Sequence, residues 1–93
     1  MTLIGIDSST TKTGMSIFRE GRFISVKLID LRKMKNAEER IDEMIRRILW
    51  NLELIDPEVV YQEYAWVKRN PKTAIQLALI IGAVRGWCVN NGV

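Results

Sequence analysis

Apolar and polar positions along this chain divide into four short runs of strand-like pattern and two longer runs with a helical period. The first, Leu3-Ile4-Gly5-Ile6, is continuously apolar and stops at Asp7, followed by the hydroxyl-rich stretch Ser8 to Thr11. Thr13 to Arg19 and Arg22 to Leu31 carry β-branched and aromatic residues on either side of Glu20-Gly21, which predicts a hairpin. Joined to the first run through the short connection Ser8 to Lys12, the hairpin makes an antiparallel three-stranded meander. In the third strand Ile24, Val26 and Leu28 alternate with Ser25 and Lys27, so one face is uniformly apolar, as expected of a one-sided or edge strand. A basic linker, Arg32 to Lys35, follows.

The period then changes. Asn36 is a suitable N-cap and Glu39 stands three residues on, as in a capping box. Ile41, Met44, Ile45, Ile48, Leu49 and Leu52 follow at the spacing that lays one apolar stripe against a sheet. Asp42 with Arg46 and Glu43 with Arg47 form favourable pairs one turn apart on the outer face. Trp50 falls about 180° from Ile41 on the helical wheel, off the core stripe. Asp56-Pro57 ends this helix, and Glu58 to Glu63 reads as a fourth strand, ending again in an acid. A right-handed crossover through the helix places that strand parallel to one of the earlier ones.

Asn70-Pro71 starts a second helix, with Asn as cap and Pro at the first helical position. From Ala74 to Val84 every residue but Gln76 is apolar or glycine, so this helix must be covered on more than one side. The apolar run is too short to span a bilayer and is interrupted by Arg85, which predicts no membrane partner. Ala74, Ala78, Gly82 and Gly86 form a row of small residues, and a four-stranded sheet cannot wrap the whole helix. A homodimer through Ala74, Ala78, Ile81, Gly82 and Arg85 is the expectation, with simple packing onto the parent sheet as the alternative. The run Asn90-Asn91-Gly92-Val93 is a turn signal followed by one apolar residue, and reads as cut where a further strand begins.

Composition narrows the chemistry. Ninety-three residues, 47% hydrophobic and 27% charged, make a single globular domain over 1–93. No basic segment followed by an apolar core opens the chain, which predicts no secretory signal and a cytoplasmic location. A single cysteine, Cys88, excludes an internal disulfide, and the lack of histidine excludes Ser-His-Asp triads and zincin sites. Any acid-base or metal chemistry must therefore use carboxylates. All 11 acids lie at or before Glu63, whereas residues 64–93 carry Lys68, Arg69, Lys72 and Arg85. That half suits a polyanion, or is an ordinary solvated basic face.

Asp7 is either a turn residue or an acid at the mouth of a buried strand, where a cation or hydrogen bonds must keep it ionised. Glu63 decides between them if the fourth strand neighbours the first. The two acids then emerge side by side at the carboxyl ends of parallel strands, where ligands bind in open α/β sheets. Paired carboxylates suit Mg²⁺ (or Mn²⁺), and such ions promote phosphodiester hydrolysis. The loop Tyr64 to Asn70 would lie alongside, offering cations to phosphates and aromatic surface to unstacked bases.

At this point the chain resembles the RuvC-like Holliday junction resolvases of the RNase H-like superfamily, especially their phage-type members. The matching residues are Ile4-Gly5-Ile6-Asp7, Thr13-Gly14, Pro57 to Glu63, Trp66, Asn70, and Gly82 with Arg85-Gly86. The resemblance implies an α/β, RNase H-like fold: a mixed sheet in which the antiparallel meander is joined by a parallel fourth strand, with two helices, truncated before a fifth strand and C-terminal helix. It implies a Mg²⁺-dependent endodeoxyribonuclease acting on four-way junction DNA as a homodimer. Asp7 and Glu63 become catalytic metal ligands, Trp66 handles the junction, and Lys12, Lys68, Arg69, Asn70 and Lys72 complete the DNA contacts.

The chain departs from the family in two places. Ser8-Ser9 replaces a frequent Pro-Gly after the first acid, and the two acids of the family's C-terminal helix have no counterpart after Glu63. The expected result is weak Mg²⁺ binding without DNA cleavage by this form alone. Two other classes stay open. Asp7 to Gly14 also resembles the phosphate-binding hairpin of the sugar-kinase, actin and Hsp70 ATPases, and a catalytically silent DNA-binding module could share the fold.

Overall fold

A computed structural model describes residues 1–63 and 70–93. Its elements are β1 (Thr2–Ser8), β2 (Lys12–Arg19), β3 (Arg22–Asp30), α1 (Ala37–Ile55), β4 (Val59–Gln62) and α2 (Pro71–Asn91). The strands form one sheet in the order β3-β2-β1-β4. β1, β2 and β3 pair antiparallel, and β4 joins β1 in parallel, with Leu3 opposite Val59 and Ile6 opposite Gln62. This is the mixed four-stranded arrangement expected, and it makes β1 an inner strand with parallel and antiparallel neighbours.

Strand alternation sends Ile4 and Ile6 of β1, and Thr13, Met15 and Ile17 of β2, to one face of the sheet, where all five are buried. Both helices cover this face. α1 contributes Ile41, Met44, Ile48 and Leu52, while α2 contributes Ile80 and Val84 to the same core. The α1 stripe is thus the predicted one, with Ile45 and Leu49 at its partly buried margin. Asn36 caps α1 by accepting from the Glu39 amide at 3.0 Å, and Asp56 closes it in the left-handed conformation at φ 52°. Trp87 of α2 donates its indole N–H to Glu53 Oε1 at 2.8 Å, tying the two helices together. Trp50, off the stripe as expected, is 63% exposed.

Three expectations are modified. The apolar face of β3 does not enter the core: Val26 and Leu28 stand on the helix-free side and are exposed, and Ile29 is the buried residue of that strand. A bulge opposite Ile17 and Phe18 takes up Ile24 and brings Phe23 against Phe18, with ring centroids 5.7 Å apart in an edge-to-face contact. Arg46 reaches Glu43, which also holds Arg47, instead of the predicted Asp42. Finally, α2 extends 21 residues to Asn91 before Gly92 caps it, so by length and composition it is long enough to cross a bilayer. Its buried side, Leu77, Ile80, Ile81 and Val84, is shared with the sheet and α1.

Candidate active site

β1 and β4 run parallel and end together, so the residues that follow their last paired positions share one rim of the sheet. Because Ile6 is opposite Gln62, Asp7 and Glu63 come next on adjacent strands, at the carboxyl ends as expected from the sequence. Alternation also fixes their face. Ile6 and Gln62 belong to the helix-covered side, and Gln62 Nε2 donates to the Ile81 carbonyl at 3.0 Å. Asp7 and Glu63 consequently belong to the open side, together with Gly5, Gly14, Ser16, Phe18 and Tyr61.

That side contains a shallow depression of about 520 Å³, with Asp7 and Glu63 at its rim and Gly5, Gly14, Ser16 and Tyr61 among its lining. Gly14 lies directly opposite Asp7 across the β1–β2 pair, and a Cβ there would meet nothing within 4 Å. The floor beside the acid is therefore free of side chains. Both carboxylates are exposed, and neither has a hydrogen-bond or ion-pair partner among the described residues. Beneath them, Ser8 Oγ and Gln62 Oε1 are buried without a hydrogen-bond partner among the described residues, each adjacent in sequence to one of the acids. Two unengaged carboxylates on neighbouring strands form a hard-oxygen donor set that fits a cation of the Mg²⁺ class, which commonly takes one or two carboxylates and completes its shell with water and phosphate. No cluster of three or more such ligands occurs among the described residues.

Ser9 closes the turn after Asp7. Ser9 Oγ accepts from the Lys12 amide at 2.9 Å and the Thr11 amide at 3.3 Å, while the Ser9 amide donates to the Lys12 carbonyl at 2.8 Å. Those N–H groups are directed inward, away from the role a phosphate-binding hairpin would give them. Lys12 is exposed and opposite Asp30.

Among the predicted DNA contacts, Asn70 serves as the N-cap of α2, accepting from the Lys72 amide at 3.0 Å, and Lys72 is exposed. Trp66, Lys68 and Arg69 lie outside the described residues. The predicted dimer set divides: Ala78, Gly82 and Arg85 are exposed, Ala74 is half-buried, and Ile81 is buried inside the chain beside Gln62. Ile75, Leu79 and Val89, not singled out from the sequence, are 63%, 55% and 75% exposed on the outer face of α2. Their spacing with Gly82 and Gly86 alternates four and three residues, a seam visible once the inner face of the helix is known. Tyr61, 65% exposed, and the Phe18–Phe23 pair were likewise missed; Tyr61 shares the parity of Glu63, which strand alternation offered, whereas Phe23 reaches Phe18 only through the bulge at Ile24.

The profile of the family described as crossover junction endodeoxyribonuclease RuvC matches residues 3–93. The chain belongs to the RuvC family. It is 31% identical over 98 residues to the crossover junction endodeoxyribonuclease RuvC of Chlorobium phaeovibrioides, covering 100% of this chain and 52% of that protein. The RuvC of Pelodictyon phaeoclathratiforme is 30% identical, over 98% of this chain and 50% of its own length. The chain thus spans about half the length of the curated relatives it matches. Among solved structures, T. thermophilus RuvC in complex with Holliday junction substrate superposes with a TM-score of 0.80 at 24% identity, covering 100% of this chain and 60% of that one. This likeness establishes the RuvC fold, in which the observed β-β-β-α-β-α order accounts for the aligned portion.

Proposed function

We propose that this chain supplies the first part of a RuvC-type Holliday junction resolvase, a Mg²⁺-dependent endodeoxyribonuclease acting on four-way junction DNA inside the cell. The observation that carries the reading is the parallel β1–β4 register, which sets Asp7 beside Glu63 on the open side of the sheet in a chain of the RuvC family. Asp7 and Glu63 hold Mg²⁺ (or Mn²⁺) through their unengaged carboxylates. Such an ion, when bound, polarises a phosphodiester and promotes ionisation of an attacking water. The chain's own residues bind and orient the strand: Gly5 and Gly14 leave the floor low enough for a phosphate, Lys12 and Lys72 offer charge, and Lys68 and Arg69 extend that charge in the connecting segment. Trp66 and Tyr61 offer aromatic faces to unstacked bases.

The outer seam of α2, Ile75, Ala78, Leu79, Gly82 and Val89, mediates a homodimer in which the glycine permits close helix approach. Two such chains would present two acid pairs to the two strands that a junction resolvase must cut. No acid follows Glu63, so the site has two carboxylates only and this 93-residue form binds the metal weakly and does not cleave.

The test pairs Mg²⁺ titration, read as a thermal shift, with cleavage of a labelled immobile four-way junction. The expected outcome is a small Mg²⁺-induced rise in melting temperature that Asp7→Asn and Glu63→Gln each abolish, with no cleavage. Efficient junction cleavage by this form, lost on Asp7→Asn, would overturn the inactivity; a Mg²⁺ shift unchanged in both variants would overturn the site.

A further inference from the structure

The basic linker between β3 and α1 has no role in the site described above, yet the fold brings it to the same rim. β3 runs antiparallel to β2, so its last residue, Asp30, stands opposite Lys12, where β2 begins just after the turn that follows Asp7. The linker therefore starts two strand spacings, about 10 Å, from the end of β1. Five successive residues, Leu31-Arg32-Lys33-Met34-Lys35, carry three cations and no acid. They border a hollow of about 660 Å³ whose lining also includes Asp30, already paired with Arg32, and Arg47 of α1.

This segment is a built loop. Leu31 is buried and its amide donates to the Thr11 carbonyl at 2.8 Å, while the Met34 amide turns back to the Leu31 carbonyl at 3.0 Å. Arg40 of α1 clamps it to the site: Nη1 donates to the Met34 carbonyl at 3.0 Å and Nε to the Thr10 carbonyl at 2.9 Å. A half-buried guanidinium is thus committed to stitching the basic linker onto the turn that carries Asp7. Arg32 is held by Asp30 and Arg47 by Glu43. Lys33 and Lys35 are exposed, and neither has an ion-pair partner among the described residues. Two unengaged ammonium groups on a fixed backbone sit along the rim from the acid pair, so binding there has to order the two side chains but not the loop that carries them.

We infer that the β3–α1 linker is a second phosphate-backbone contact, in which Lys33 and Lys35 grip a DNA arm along the rim from the Asp7–Glu63 pair. The inference rests on the proposed DNA-binding function and extends it to a surface on the opposite side of Asp7 from Glu63. Duplex phosphate is the ligand, so the contact adds affinity for both junction and linear DNA and contributes salt dependence without sequence preference.

The test is fluorescence anisotropy with a labelled four-way junction and a labelled linear duplex, in EDTA, between 0.05 and 0.2 M salt as set by the experimenter. Lys33→Ala/Lys35→Ala should lower the slope of log K against log salt by about 1.8, at roughly 0.9 per phosphate contact, and weaken binding about 60-fold at 0.1 M salt. Lys33→Arg/Lys35→Arg should retain both, and the melting temperature of the alanine variant should match wild type. Unchanged affinity and slope in the folded alanine variant, with wild type binding normally, would overturn the linker contact alone. Wild-type protein that binds poly-glutamate but neither DNA would overturn the DNA-binding reading and the inference with it.

Discussion

Thr13 is fully buried in an otherwise apolar core, and its hydroxyl donates to the Met44 sulfur at 3.2 Å. That contact joins β2, one position before Gly14 of the site floor, to the centre of α1. A thioether is a weak acceptor, so the pair contributes little over an apolar pair of the same shape, but stranding the hydroxyl alone is expensive. Met44→Leu keeps the volume and removes the acceptor. The packing change costs under about 1.5 kcal/mol, and the buried hydroxyl left without a partner adds about 1 kcal/mol, the low end of the usual desolvation penalty. Thr13→Val removes the hydroxyl while keeping the branched shape, so its own effect should stay within about 0.5 kcal/mol and be able to stabilise. The double variant should then recover about 1 kcal/mol relative to Met44→Leu, the signature of coupling in a mutant cycle. Urea unfolding of all four proteins at constant m would measure this, and a loss of 1 kcal/mol should appear independently as about 4–8 °C in melting temperature. A coupling below about 0.3 kcal/mol, or a Thr13→Val cost equal to that of Met44→Leu, would refute the reasoning.

Two further outcomes follow from the local geometry. Asn36→Ala removes the side chain that accepts from the Glu39 amide and should cost about 1 kcal/mol in urea unfolding, with Asn36→Asp close to wild type. The hydrogen bonds from Arg32 to Asp30, side chain first and backbone second, bring the Asp30 carboxyl down to about 2 from an ordinary 3.8. A carboxyl depressed in the folded state contributes stability above its unfolded value, and that contribution is lost as pH falls through about 2. Arg32→Ala should therefore move the Asp30 titration, followed by NMR, up toward the ordinary value. Because both groups are exposed and screened, unfolding at neutral pH should barely change.

Much of the fold follows from local pattern. The meander was legible because strand alternation and Glu20-Gly21 both point to one hairpin, and that turn places both residues at positive φ, 51° and 76°. α1 was legible because its cap, stripe and Asp-Pro stop agree with one another. The acid pair was legible only conditionally. The chain itself marks Asp7 and Glu63 as acids closing apolar runs, but a crossover can return a strand beside either edge of the meander, and only the sheet shows that β4 joins β1.

The remaining differences have a common cause. A period of two tells which side chains share a face, and a period of 3.6 which share a stripe; neither tells which face a neighbour will cover. Ile24, Val26 and Leu28 look like a core face in isolation, yet the helices settle on the side of Ile4, Ile6, Met15 and Ile17 and leave Val26 and Leu28 open beside the acid pair. On α2, apolar all round, the sequence could not separate inner Ile81 from outer Ile75, Leu79 and Val89, a division made by contact with β1, Gln62 and α1. The chain by itself thus determined its elements, its lack of histidine chemistry and the two acids that close the apolar runs of β1 and β4. Tertiary structure decided which strands neighbour one another, which apolar surfaces stay open, and that the basic linker shares the rim with Asp7, because each of these depends on contacts between residues far apart in sequence.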